Sequence, residues 1–158
     1  QRFKGILMDE GIRYDVADAV LGGELKYLPD IRNRADALMK WLDNNEISMV
    51  LTTFKRVSNL AKFAGCDVIK PELFTDDEEK DMYDCYKKVK ESVDSEIDNG
   101  DYDKALVTIK ELYQPLNTFF DKVMVMSKDN DLKNNRLALL LSVQNMMMRI
   151  ANFSLISY

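Results

Sequence analysis

Lys55, Asn59 and Lys62 recur at i, i+4 and i+7, the spacing that places side chains on one face of a helix, and Arg56 stands beside them. Two ammonium groups at that interval can track a row of phosphates, and the amide between them can both donate and accept toward a base edge. The same pattern also describes a solvated basic face. Lys122, directly after Phe119, Phe120 and Asp121, can reach a phosphate while the rings are buried. Arg136 has two possible roles, phosphate ligand or structural ion-pair partner. Asp121 has a structural alternative of its own, pairing with Arg136 or another neighbour inside the fold.

The residue types that are missing narrow the chemistry further. The chain has no His, which removes the imidazole base, the Ser-His-Asp triad and the histidine metal ligand. Cys66 and Cys85 lack the CxxC pairing of zinc or redox sites, so they read as two reduced thiols of a cytoplasmic protein. Gly22-Gly23 is followed by Glu24 and Leu25 and matches no phosphate-binding glycine loop. The acidic residues fall in a run, the mark of a solvated face, rather than as a pair suited to converge in a pocket. An independent enzyme is not the expectation.

Charge is unevenly distributed over the 158 residues. The net charge is -5, yet residues 1–70 sum to +1, residues 71–103 to -9 and residues 104–158 to +3. With a screening length of about 8 Å at physiological salt, a basic face can act on a polyanion while the acidic stretch points elsewhere.

The elements that must position these groups are helical. Apolar residues follow 3–4 spacing through 2–10, 13–21, 31–44, 47–63, from Thr75 to about Ile97, and 132–152. Gly22-Gly23 stops the second helix and 24–29 reads as a loop, with Asp30 and Asp131 as expected caps. Asp98–Asp101 is a tight turn between antiparallel helices. Helical phase runs from Leu106 to Val123 across Pro115, which predicts a kink or break near Tyr113-Gln114. Val123–Met126 is too short to carry a sheet. Trp41 is expected at the edge of the core, and Met146–Met148 cover too wide an arc to be buried together unless their helix is central. The length suits one domain of residues 1–158, all-α, a bundle of about six to eight helices. The chain does not begin with Met, so a piece of a longer protein is expected. No apolar run reaches the ~18 residues of a membrane span.

Three segments are more specific than amphipathicity requires: Lys55-Arg56-Val57-Ser58-Asn59-Leu60, Phe119-Phe120-Asp121-Lys122-Val123-Met124-Val125-Met126, and Asn135-Arg136-Leu137-Ala138-Leu139-Leu140. In this order, with the opening Arg2-Phe3 through Gly11–Val16 to Ala19-Val20-Leu21, they resemble the C-terminal anticodon-binding domain of the β subunit of bacterial-type glycyl-tRNA synthetase, itself similar to that of arginyl-tRNA synthetase. The resemblance covers essentially the whole chain. It implies a non-catalytic module of a glycine–tRNA ligase that recognises the anticodon stem-loop of glycine tRNA. The implied partners are that tRNA, the α subunit and the rest of the β subunit. No cofactor is implied in this domain, ATP and magnesium being expected at the α subunit. Glycine codons begin GG, so the anticodon ends in two cytosines. Asp121 can accept from the cytosine amino group. Salt-sensitive binding, damaged by changing either cytosine, is the expectation. The competing one is a helical adaptor docking the companion subunit through a contiguous patch of Met124, Met126 and Met146–Met148, with little salt dependence.

Overall fold

Eight α-helices and three short 3-10 turns make up the described part of the chain, residues 1–23 and 28–157 of the computed structural model. They are α1 (Arg2–Asp9), α2 (Tyr14–Leu21), α3 (Leu28–Leu42), α4 (Ile47–Ala61), α5 (Asp77–Asp98), α6 (Tyr102–Ile109), α7 (Tyr113–Lys122) and α8 (Asn130–Met148). There is no strand among the described residues, as the all-α expectation requires. The expected loop at 24–29 lies mostly outside the described residues. Because α3 already begins at Leu28, Asp30 sits in its first turn rather than capping it.

The core is organised around α8. Its buried residues include Asn135 through Leu140, Ser142, Val143, Met146 and Met147, which covers nearly the whole circumference of the helix. A helix apolar on all sides belongs at the centre, and α8 packs against both α4 and α5. That central position is why Met146 and Met147 are buried together. The cap of α8 is Asp129, whose carboxylate accepts from the N–H groups of Asp131 and Leu132, so the helix starts two residues earlier than expected. The helix also ends earlier, at Met148. Leu155, expected on its buried side, lies past that end and is largely exposed.

Around this axis, α5 and α6 form the expected antiparallel hairpin, turning at Gly100 with φ +73°, a left-handed conformation that favours glycine. Asp101 then caps α6 through the Lys104 N–H. The break before Pro115 falls at the 3-10 turn Lys110–Leu112, one turn ahead of the proline whose ring would collide there. Trp41 rests on Phe54 and Phe153, with centroids 6.5 and 5.7 Å away, which makes it a core-edge residue.

The Gly22-Gly23 stop serves packing too. A Cβ on Gly23 would lie 2.8 Å from the Met148 carbonyl oxygen and 3.2 Å from the Ala151 Cα, both backbone atoms that cannot swing aside. Gly23→Ala is expected to cost about 1–3 kcal/mol by overpacking, read as a lower melting temperature, whereas Gly65→Ala, with open space around its Cα, should leave the melt nearly unchanged.

Candidate nucleic-acid interface

The face begins with α4. Val50, Phe54, Val57 and Ala61 turn inward against the core, which leaves Thr52, Arg56, Asn59 and Lys62 exposed and Lys55 half-buried at the margin. From Ile47 to Cys66 the chain carries three cations and no acid. Elsewhere many cations are neutralised: Lys4 by Asp18, Arg32 by Glu10 and Asp36, Lys90 and Arg149 by Asp94. Lys55, Arg56, Lys62 and Lys122 have no carboxylate partner among the described residues.

Helix α7 lies alongside. Thr53 Oγ1 of α4 donates to Asn117 Oδ1 of α7 at 2.8 Å, and the Arg56 guanidinium lies 4.4 Å from the centre of the Phe120 ring. Phe119 and Phe120 are buried, as the sequence predicts for these rings. Asp121 and Lys122 follow at the exposed end of α7, where the Val123 N–H closes the helix on the Phe119 carbonyl. Asp121 makes no ion pair among the described residues, so its expected structural alternative, a salt bridge to Arg136, does not form.

Arg136 is the clear correction to the expected set. It is 4% exposed and cannot meet a phosphate. Its Nη1 donates to the Met124 carbonyl at 2.7 Å and its Nη2 to Glu79 Oε1 at 2.8 Å, with Thr75 Oγ1 at 3.3 Å and Asp76 Oδ2 at 3.5 Å. Glu79 is wholly buried and also accepts from the Asp76 N–H, closing the capping box that starts α5. Burial alone would raise the Glu79 carboxyl. The Arg136 hydrogen bond and charge, together with the Asp76 and Thr75 N–H groups, outweigh it and hold the carboxyl below the ordinary glutamate value.

Its neighbour Asn135 does similar work on another segment. The side-chain amide accepts from the Lys70 N–H at 2.7 Å and donates to the Lys70 carbonyl at 2.9 Å. Two consecutive residues of the central helix therefore tie down the chain leaving α4, the start of α5 and the chain leaving α7. The third motif positions the other two.

One residue of the face went unmarked in the sequence. Phe63, in the turn after α4, is 59% exposed, and the Lys62 ammonium lies 5.2 Å from its ring centre. A bare aromatic beside a cation is the usual platform for an unstacked base. Its only sequence signal was its place at the end of the apolar pattern, four residues after Asn59. The adaptor surface, by contrast, breaks up. Met124 and Met126 are exposed, but Met146 and Met147 are buried in the core, so no contiguous methionine patch joins them. No helix among the described residues is long and apolar enough to cross a membrane.

The family model described as the DALR anticodon binding domain matches residues 50–153. Similar proteins include the glycine–tRNA ligase β subunit of Clostridioides difficile, 40% identical over all of this chain and 23% of the relative. That of Desulforamulus reducens is 36% identical over 98% of this chain and 22% of the relative, and that of Vibrio parahaemolyticus is 34% identical over 98% and 23%. The chain thus spans less than a quarter of the length of these relatives. With that family model running from within α4 to beyond the end of α8, the chain belongs to the DALR anticodon-binding domain family.

Proposed function

We propose that this chain is the tRNA-gripping module of a glycine–tRNA ligase and binds the anticodon stem-loop of glycine tRNA through the outer face of α4 and the end of α7. The observation that carries the reading is the acid-free run from Ile47 to Cys66, whose three cations stay clustered and unpaired while many others are neutralised. In this role Lys55, Arg56, Lys62 and Lys122 meet phosphates, Asn59 offers both donor and acceptor to the loop, and Phe63 offers a ring on which a base can rest. The module performs no chemistry. ATP and magnesium belong with the α subunit of the parent enzyme, which together with the rest of the β subunit completes the grip on tRNA.

Affinity for the isolated chain is expected to be modest, because few phosphates are met and tethering within a larger ligase raises the effective concentration without new contacts. The test is a titration of the chain with a glycine-tRNA anticodon stem-loop and with one from an unrelated tRNA. Tighter binding to the first, weakening as salt rises, is the expected result. Equal binding to both, or binding indifferent to salt, overturns the reading.

A further inference from the structure

Residues 149–157 leave α8 with no regular structure beyond the 3-10 turn Phe153–Leu155, and that turn packs against both α2 and α4. Three polar ties hold the segment. Arg34 of α3, which is buried, donates from Nη1 to the Arg149 and Ile150 carbonyls at 3.2 and 3.1 Å. The Asn152 N–H donates to the Ala19 carbonyl of α2 at 2.7 Å. At the far end, Asp15 Oδ2 accepts the Ser157 N–H at 2.8 Å, while Arg13 Nη2 donates to the Ser157 carbonyl at 3.0 Å. Arg13 also grips the buried Asp15 carboxylate through two hydrogen bonds, so one arginine–aspartate pair holds both backbone groups of Ser157. Between the ties, Phe153 and Ile156 are buried, whereas Ser154 and Leu155 are exposed. The Phe153 ring lies 5.6 Å from that of Phe54 and 5.7 Å from that of Trp41. Phe54 is on the inner side of α4, next in sequence to Lys55 and Arg56 of the cationic face.

We propose that residues 149–157 are a strap that fastens α2 and α3 to the inner side of α4, and that its release is a separate opening of the fold that unseats α4. The strap is built to open as a unit. It has no long helical ladder of its own, its ties are few, and Arg13 and Ser157 at its far end are exposed. Its closed state is held by the burial of Phe153 and Ile156 and by the pairing of Asp15. Burial alone would raise the Asp15 carboxyl, but Arg13 and the Ser157 and Val16 N–H groups outweigh it and hold the carboxyl below the ordinary aspartate value. Opening takes the Ser157 N–H from Asp15 and the Phe153 ring from Phe54 and Trp41. Helix α4 then loses its support directly beneath Lys55 and Arg56. The consequence for RNA rests on the anticodon-binding reading above: only the closed fraction presents the cations in place, so opening lowers affinity without changing the number of phosphates met.

Native-state hydrogen exchange of the full chain tests the strap, in the wild type and in Arg13→Ala, Phe153→Ala and Val93→Ala. Arg13 is exposed, so its removal opens no cavity, and Val93 is buried on α5, away from the strap. In the wild type the Asn152 and Ser157 amides are expected to exchange through one shared opening, short of global unfolding, together with Val16–Val20 of α2 and Leu51–Val57 of α4. Arg13→Ala should speed this set about tenfold or more, because it removes charge-assisted hydrogen bonds from the far tie. Val93→Ala lowers overall stability and should not single the set out. Titrated with the glycine-tRNA anticodon stem-loop, Phe153→Ala should bind about threefold or more weakly with the salt slope unchanged, and Val93→Ala should bind as the wild type does. Strap amides that exchange only with the whole molecule, or that open without α2 and α4, overturn the proposal. So does a Phe153→Ala variant with unaltered affinity. A shared opening in a wild-type chain that binds no stem-loop leaves the strap standing and overturns the anticodon-binding reading.

Discussion

Replacing Arg136 by methionine is expected to destabilise the chain by about 3–5 kcal/mol, the cost of leaving a buried charge without its partner. The charge is Glu79, wholly buried and paired at 2.8 Å. The same substitution releases the Met124 carbonyl and the Thr75 hydroxyl, so the start of α5 and the chain after α7 both lose their anchor. Glu79→Gln should cost less, since an amide oxygen can still accept from Arg136 and from the Asp76 N–H. In the double variant Arg136→Met with Glu79→Gln, no buried carboxylate is left unpaired, and part of the loss should be recovered. Urea melts of the three variants measure the ordering. The pair also sets a pH dependence. Glu79 is held below its ordinary value of 4.5 when folded. Its contribution is therefore complete above about that pH and is lost as the pH falls through the lower folded value. The wild-type melting temperature should drop through that acid window, and the Glu79→Gln variant should drop less steeply there.

The second large effect concerns binding rather than stability. Changing Lys55, Arg56 and Lys62 together to alanine should reduce the slope of log affinity against log salt by about 2–3, at roughly 0.7–0.9 per lost phosphate contact. At moderate salt that is a weakening of tenfold or more. These side chains hold no ion pair among the described residues, and the cation–π contact of Arg56 with Phe120 is worth only about 0.5–1 kcal/mol at an exposed site. The fold should therefore survive with a nearly unchanged melt. An equal number of changes on paired cations, such as Lys4, Lys87 and Lys90, should leave the slope as it was.

The helices were legible because their apolar spacing is strong, and the turn at Gly100 and the break before Pro115 because glycine and proline act locally. The edges were less so. Asp131 and Asp129 both offer a cap in the sequence, and only the chain path shows that Asp129 takes it. The burial of Arg136 was hidden because its partners lie 57 and 12 residues away, at Glu79 and Met124, and no local pattern brings them together. Asn135 was hidden for the same reason, its partner being the backbone of Lys70. Asn117 reads as an ordinary polar residue in an amphipathic helix until Thr53 is seen to hold it. The cations of α4 were legible because helical spacing alone puts them on one side. Their freedom from acids depended on which surfaces the acidic 72–103 stretch covers, a tertiary fact.

The central claim is that RNA lies on α4 and the end of α7 rather than anywhere else on the helical body. Backbone amide chemical shifts recorded during titration with the glycine-tRNA anticodon stem-loop test it most directly. The account predicts that the largest changes fall at Lys55, Arg56, Asn59, Lys62 and Phe63, and at Asp121 and Lys122, with α5 from Glu78 to Glu91 nearly silent. Shifts concentrated on α5, or spread evenly over all faces, would contradict it.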